Sequence, residues 1–174
     1  MRAQIFQAFQ PYLLATQNEE IQIESCRVLS NLSRHASCCD LYLQDNTFLK
    51  TINVVLDHNL RDLVYYTVGI VINISIYGKN VQNLLTIDGV NNASILEKLF
   101  DVLKDSNLED MDLARVAAKA LNNLQKVPDA SKYWNEGLIE RLTELAKSLC
   151  DDLDGIMVSP VFETVTHVLV GSGN

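Results

Sequence analysis

Apolar residues recur along the chain with the three- and four-residue spacing of amphipathic helices. The segment Val68–Ile76 is rich in β-branched residues, which favour strands. Val64, Val68 and Val71 nevertheless keep the helical spacing, so we predict a helix that is buried on most sides. The pattern predicts helices over 3–15, 19–34, 37–45, 47–57, 60–77, 79–87, 93–104, 109–126, 130–136, 138–149 and 158–170.

These helices follow an internal repeat. Residues 13–33 superpose without gaps on residues 55–75, and residues 102–125 fit the same frame after extra loop residues. In this frame Asn31, Asn73 and Asn123 occupy one position near the end of each long helix, at intervals of 42 and 50 residues. A recurrent asparagine is unexpected there, because asparagine is a mediocre helix former.

A second landmark supports the same frame. Asn46, Gly89 and Gly137 each fall between a short helix and the helix that follows it. Glycine and asparagine adopt left-handed backbone geometry more readily than other residues, so a sharp corner is expected at each point. Every unit then holds a short, a medium and a long helix. Units of about 40–47 residues with two or three helices are typical of HEAT and armadillo proteins.

The helix-ending patterns VLSNLS, IVINIS and ALNNLQ, together with the junction WNEGLIERLTEL, resemble the armadillo repeat. The resemblance covers nearly the whole chain and implies an all-α fold, a right-handed α-solenoid of armadillo repeats. We expect a single armadillo domain over 1–174, with about two complete units and partial units at both ends. The units are 1–35 (partial), 36–77, 78–127 and 128–174, the last being degenerate because Gly171 takes the place of the asparagine.

Two complete units are fewer than the three or more that usually make a repeat array stable. We therefore expect the chain to form part of a longer chain or an assembly. A net charge of −8 disfavours binding to nucleic acid or to anionic membranes. No apolar stretch is long enough to span a bilayer and no signal peptide is evident, so a cytoplasmic location is expected.

No motif points to an enzyme. The chain lacks GxSxG, a glycine-rich phosphate loop and HExxH, and His35, His58 and His167 are far apart. The acidic runs at 107–110 and 150–154 do not complete a calcium loop. We expect no catalytic residue, no metal site and no cofactor. The cysteines lack CxxC spacing and are interpreted as reduced thiols: Cys26, Cys38, Cys39 and Cys150.

In armadillo proteins the third helix of each unit lines a concave groove, where an asparagine hydrogen-bonds to the backbone of an extended peptide. The resemblance implies this role for Asn31, Asn73 and Asn123. An amide suits it, because it offers both a donor and an acceptor, as a peptide unit does. The alternative is that each asparagine bridges the backbone of the repeat itself. Recurrence does not separate the two, because both roles recur.

Importin-type grooves add a tryptophan one turn before each asparagine. Here Arg27, Gly69 and Lys119 occupy those positions, so recognition of nuclear localisation signals is not expected. Four-residue steps stay on one helix face. The groove that we predict for a protein partner therefore consists of Arg27, Asn31, Tyr65, Asn73, Arg115, Lys119 and Asn123.

This set contains three positive charges and no carboxylate, which suits an acidic or extended segment of a partner protein. The alternative is that the basic residues are solvated beside the neighbouring acids Glu24 and Asp112.

The expected function is that of a non-enzymatic scaffold or adaptor for other proteins. Residues 33–75 resemble the C-terminal armadillo region of a ciliary member of the family, which implies a role in the assembly of the axoneme or near its radial spokes. Two alternative functions remain open. The first is a regulatory or targeting module of a larger enzyme, and the second is an adaptor of the catenin or importin kind that binds extended peptides.

Overall fold

The computed structural model describes residues 1–87, 93–106 and 110–151, together with residues 166 and 170. Every regular element in this part of the chain is helical, as predicted. Short 3₁₀ turns cover Gln10–Leu13 and Ala130–Tyr133. The α-helices are α1 (Arg2–Phe9), α2 (Glu19–Leu32), α3 (Ala36–Gln44), α4 (Asn46–Val55), α5 (Arg61–Tyr77), α6 (Gln82–Leu85), α7 (Ile95–Ser106), α8 (Met111–Gln125) and α9 (Glu136–Asp151).

Two of the three long helices, α2 and α8, begin at side chains that accept hydrogen bonds from the first helical turn. Asn18 accepts from the backbone N–H of Ile21 at 3.1 Å, which starts α2. Asp110 accepts from Leu113 at 3.0 Å, which starts α8. Such N-caps satisfy amides that have no partner inside the helix. In α7 a capping box does the same, because Ser94 and Glu97 each accept from the backbone of the other.

Helix α5 packs between α2 and α8, so that the three long helices lie side by side. A Cβ atom at Gly69 of α5 would lie only 3.0 Å from the Ser30 hydroxyl of α2, so this glycine permits a close approach. The first and second helices of the units cover the remaining sides, with α3 on α5 and α7 on α8. The buried face of α5 consists of Leu63, Val64, Thr67, Val68, Ile70, Val71, Ile72 and Ile74.

Polar side chains join neighbouring units at intervals of about one repeat. The amide of Asn83 donates to the carbonyl of Leu43 at 3.0 Å, and the two residues lie 40 apart in sequence. Two ion pairs span the same interval, Lys98 with Asp57 and Arg141 with Asp101. Neighbouring units are therefore held together at several points besides the apolar core.

A further ion pair links the starts of α5 and α8. Arg61 donates to both carboxylate oxygens of Asp110, through Nε at 2.6 Å and Nη2 at 3.1 Å. This arginine lowers the pKa of Asp110 from its ordinary value of 3.8 to about 2. Asp110 therefore has two functions, since it also caps α8.

Several shorter elements differ from the prediction. The helix expected over 3–15 ends at Phe9 and the 3₁₀ turn Gln10–Leu13 follows it, because Pro11 lacks a backbone donor. The helices expected over 79–87 and 130–136 shrink to Gln82–Leu85 and to the 3₁₀ turn Ala130–Tyr133. The helix expected over 158–170 lies largely outside the described residues.

The prediction of a left-handed corner is wrong at two of the three positions. Asn46 is the first residue of α4, and Gly137 lies inside the first turn of α9. Gly89 lies outside the described residues. N-cap side chains make these corners, because Asp45 accepts from Phe48 at 2.9 Å and Asn135 accepts from Leu138 at 2.8 Å. A left-handed residue does occur at Asp129, with φ 60°.

Gly78, the residue that ends α5, should tolerate no side chain. A Cβ atom there would lie 2.5 Å from Cδ1 of Leu43 and 2.7 Å from the carbonyl oxygen of Ile74. We expect Gly78→Ala to lower the free energy of unfolding by about 1–3 kcal/mol through overpacking, measured by urea denaturation. Gly137→Ala is the control, because its Cβ atom would lie 3.5 Å from the nearest side-chain oxygen. Equal effects of the two changes would contradict the packing at Gly78.

The Arg61–Asp110 pair predicts how stability depends on pH. Asp110→Asn keeps a capping side chain but loses the negative charge. The pKa of Asp110 is depressed in the folded state. Its contribution to the free energy of unfolding is therefore complete above about pH 4 and is lost as the pH falls through about 2. The difference in unfolding free energy between the two proteins should therefore shrink between these pH values. Asp105→Asn controls for the loss of one exposed carboxylate. A difference in unfolding free energy that stays constant with pH would contradict a stabilising role for the Arg61–Asp110 ion pair.

Candidate partner-binding face

The predicted groove residues lie on the adjacent helices α2, α5 and α8. Arg27, Asn31, Arg115 and Lys119 are exposed, whereas Tyr65, Asn73 and Asn123 are half-buried. Among the described residues, no side-chain hydrogen bond or ion pair joins one of the seven to another. The side-chain hydrogen bonds that Arg27, Asn73 and Arg115 form are with residues outside this set.

Two of the three basic residues have a carboxylate partner on the same helix. Arg27 forms an ion pair with Glu24, which raises the pKa of the guanidinium by hydrogen bonding. Arg115 donates to Asp112 at 3.2 Å. These are the neighbouring acids that the alternative interpretation named, so the positive charge at both positions is locally balanced. Lys119 has no ion pair within the part of the chain that the structure describes.

An aromatic and basic cluster stands at the start of α5. The rings of Tyr65 and Tyr66 lie edge to face, with centroids 5.9 Å apart. The guanidinium of Arg61 lies 5.0 Å from the Tyr65 ring centroid, within the range of a cation–π contact. Sequence reasoning missed Arg61, although its four-residue spacing from Tyr65 indicates a shared helix face.

The three asparagines have different surroundings. Asn73 donates to the hydroxyl of Ser33 at 2.8 Å and lies 3.4 Å from the carbonyl oxygen of Ser30. Its amide thus ties α5 to α2, as in the bridging alternative. The amide of Asn31 is exposed and has no hydrogen bond among the described residues.

Asn123 differs from both, because its Nδ2 atom is buried and has no hydrogen-bond partner. A small cavity of about 220 Å³ lies beside it, between the ends of α5 and α8. The cavity is open to solvent at its mouth and mixes polar with apolar lining. We call it the α5–α8 cavity, and its lining consists of Ser75, Gly78, Lys79, Val81, Gln82, Asn123, Lys126, Val127 and Pro128.

A larger cleft of about 710 Å³ lies at the other end of these helices, between the α4–α5 connection and α7. Its lining mixes polar and charged residues with apolar ones such as Leu56 and Val102. Three of its carboxylates already form ion pairs with basic residues, namely Asp57, Asp101 and Asp110. None of the seven predicted residues lines this cleft.

The described thiols are buried and unpaired. Burial raises the pKa of both Cys26 and Cys39 to about 12, so these thiols stay protonated at neutral pH and are poor nucleophiles. Within the described ranges, no three His, Cys, Asp or Glu side chains converge on a point where a metal ion could bind. The side chain of Cys150 and the whole of His167 lie outside the described residues.

The α2–α5 and α5–α8 contacts predict opposite responses to the same change. Asn73→Ala removes a hydrogen bond between helices and should lower the unfolding free energy by about 1 kcal/mol. Asn123→Ala removes a buried donor that has no partner, so it should leave stability unchanged or raise it. Chemical denaturation of both variants measures the difference. A larger loss for Asn123→Ala would show that its amide does form a bond in solution.

No family model matches the chain. Among curated proteins it is similar to Armadillo repeat-containing protein 2. The Homo sapiens protein is 28% identical over 147 residues, which cover 82% of this chain and 16% of that protein. The Bos taurus and Mus musculus proteins are 26% identical over 141 residues and 80% of this chain. The chain therefore spans about 16% of the length of these relatives.

Two solved structures of engineered proteins share this architecture. An engineered structural-genomics target matches 97% of this chain and 37% of its own, with a TM-score of 0.70 and 17% identity. A designed armadillo repeat protein matches 99% of this chain and 71% of its own, with a TM-score of 0.65 and 16% identity. The fold is thus an armadillo α-solenoid, and both the fold class and the armadillo resemblance inferred from the sequence are confirmed.

Proposed function

We propose that this chain is a non-enzymatic scaffold that binds extended segments of other proteins along the face formed by α2, α5 and α8. The observation that carries the proposal is the parallel array of these three helices, which exposes hydrogen-bonding side chains in successive units. Stacked units of this kind create long surfaces suited to extended ligands. The exposed amide of Asn31 can donate to and accept from a peptide backbone.

The basic residues of this face favour an acidic segment. Lys119 has no ion pair among the described residues, and a guanidinium has five N–H donors. Glu24 and Asp112 occupy only some of the donors of Arg27 and Arg115. Both arginines are about half exposed, so an incoming carboxylate can reach the remaining donors. The net charge of −8 makes nucleic acid and anionic membranes poor partners.

The proposal extends to the cilium, on the resemblance of residues 33–75 to a ciliary armadillo protein. The partner would then be a component of the axoneme or of its radial spokes. Because the chain spans only 16% of its relatives, a regulatory module of a larger enzyme is the second candidate. A catenin-like adaptor for acidic peptides would use the same face. Within the described residues no helix is long and apolar enough to cross a membrane.

The test is capture of proteins from ciliary extract by the immobilised chain, compared with an Arg27→Glu/Arg115→Glu/Lys119→Glu variant. We expect the variant to lose partners, because a face with reversed charge repels an acidic segment. Circular dichroism verifies that the variant stays helical. Lys50→Glu/Lys104→Glu/Lys147→Glu is the matched control, since it makes the same change in net charge at exposed sites on other helices.

Partners kept by the control and lost by the face variant support the proposed face. Equal loss by both variants would mean that bulk charge, rather than this face, governs binding. Retention of all partners by the face variant would contradict the proposal. A wild-type capture without any axonemal protein would contradict its ciliary part alone.

A further inference from the structure

The α2–α5 and α5–α8 contacts involve equivalent positions of the repeat but differ in their hydrogen bonds. In the first contact, Asn73 donates to Ser33 at 2.8 Å. In the second contact, Asn123 and Ser75 occupy the corresponding positions. Both line the α5–α8 cavity, and Asn123 Nδ2 makes no bond. A cavity therefore lies where the preceding unit has a closed hydrogen bond.

The residues around the two contacts also differ in charge. In the repeat frame Lys79 replaces Ser37, and Gln82 replaces the acid Asp40. Lys126, which follows α8 directly, takes the place of an apolar residue, Ile76. The second contact thus gains two ammonium groups relative to the first, and the carboxylate of Asp40 stands beside Lys79, where it accepts from the Lys79 backbone N–H at 2.9 Å.

These charges are available to a ligand. Lys126 is exposed and has no ion pair within the described residues. The side chain of Lys79 is 80% exposed, and its ammonium group lies 3.7 Å from Asp40, which is a loose pair. A buried donor without a partner is rare in folded proteins and calls for an explanation. The site combines such a donor with the ammonium group of Lys126, and Lys79 with its partner Asp40 stands at the edge.

We propose that the α5–α8 cavity binds the carboxylate of an aspartate or glutamate side chain in the partner segment, with Lys126 Nζ donating to its oxygens and the side chain of Asn123 turning so that Nδ2 donates as well. The proposal rests on the proposed function, because the acidic segment on the binding face supplies the side chain. A volume of about 220 Å³ has room for a carboxylate and several waters, since each water takes ~30 Å³. Lys79 adds a second positive charge at the edge.

The test is nuclear magnetic resonance of the full chain labelled with ¹⁵N. The probe is tetraglutamate with acetylated and amidated ends, so that every carboxylate belongs to a side chain. Blocked tetraglutamine is the neutral control. We expect tetraglutamate to shift the side-chain NH₂ signals of Asn123 in a saturable way, and tetraglutamine to leave them in place. The signals of Asn73 should stay unchanged, because that amide is already bonded to Ser33.

Lys126→Gln should weaken the tetraglutamate-dependent shift about tenfold, the effect of losing one charge-assisted hydrogen bond. Lys126 is exposed at the end of its helix, so this change should leave the fold intact. Lys50→Gln, on another helix, is the matched control and should bind as the wild type does.

Two outcomes would overturn the cavity proposal. The first is tetraglutamate shifting backbone signals around Arg27 and Arg115 but not those of Asn123, which would leave the proposed face standing. The second is inorganic phosphate, at equal concentration, shifting Asn123 as strongly as tetraglutamate does, because the cavity would then accept any small anion. Shifts at Asn123 without any at Arg27 or Arg115 would support the cavity and count against the wider face.

Discussion

The stack depends on the enclosure of α5. This helix is apolar around most of its circumference, with eight buried residues between Leu63 and Ile74. A helix of this kind is stable only when neighbours cover it on several sides, because each exposed Leu, Ile or Val side chain would forfeit about 1.5–3 kcal/mol. Helices α2 and α8 provide that cover, and they belong to the preceding and the following unit. No single unit can therefore bury its own long helix.

The same requirement explains which parts of the fold were predictable. Long amphipathic or apolar helices have many periodic positions, so α2, α5 and α8 were predicted within about two residues at either end. The short first helices offer too few positions to distinguish an α-helix from a 3₁₀ turn, as at Ala130–Tyr133. The corners were misread because Gly137 resembles a left-handed residue in sequence, whereas the bond from Leu138 to Asn135 turns the chain.

The candidate site was predictable only in part. All seven residues are exposed or half-buried, and the ion pairs of Arg27 and Arg115 follow from acids three residues earlier. Periodicity could not distinguish Asn73 from Asn123, because both occupy one position of the repeat. Their difference depends on whether a serine of the preceding long helix comes within hydrogen-bonding distance, which is a property of helix packing rather than of local sequence.

Among the described residues, the polar ties between units, such as that from Asn83 to Leu43, join residues about one repeat apart. A substitution in one unit therefore alters its two neighbours and leaves distant units as they were. The equivalent asparagines illustrate this independence, since Asn73 forms a bond at the α2–α5 contact and Asn123 forms none at the α5–α8 contact. Each contact of the stack can therefore be altered by substitution without rebuilding the others.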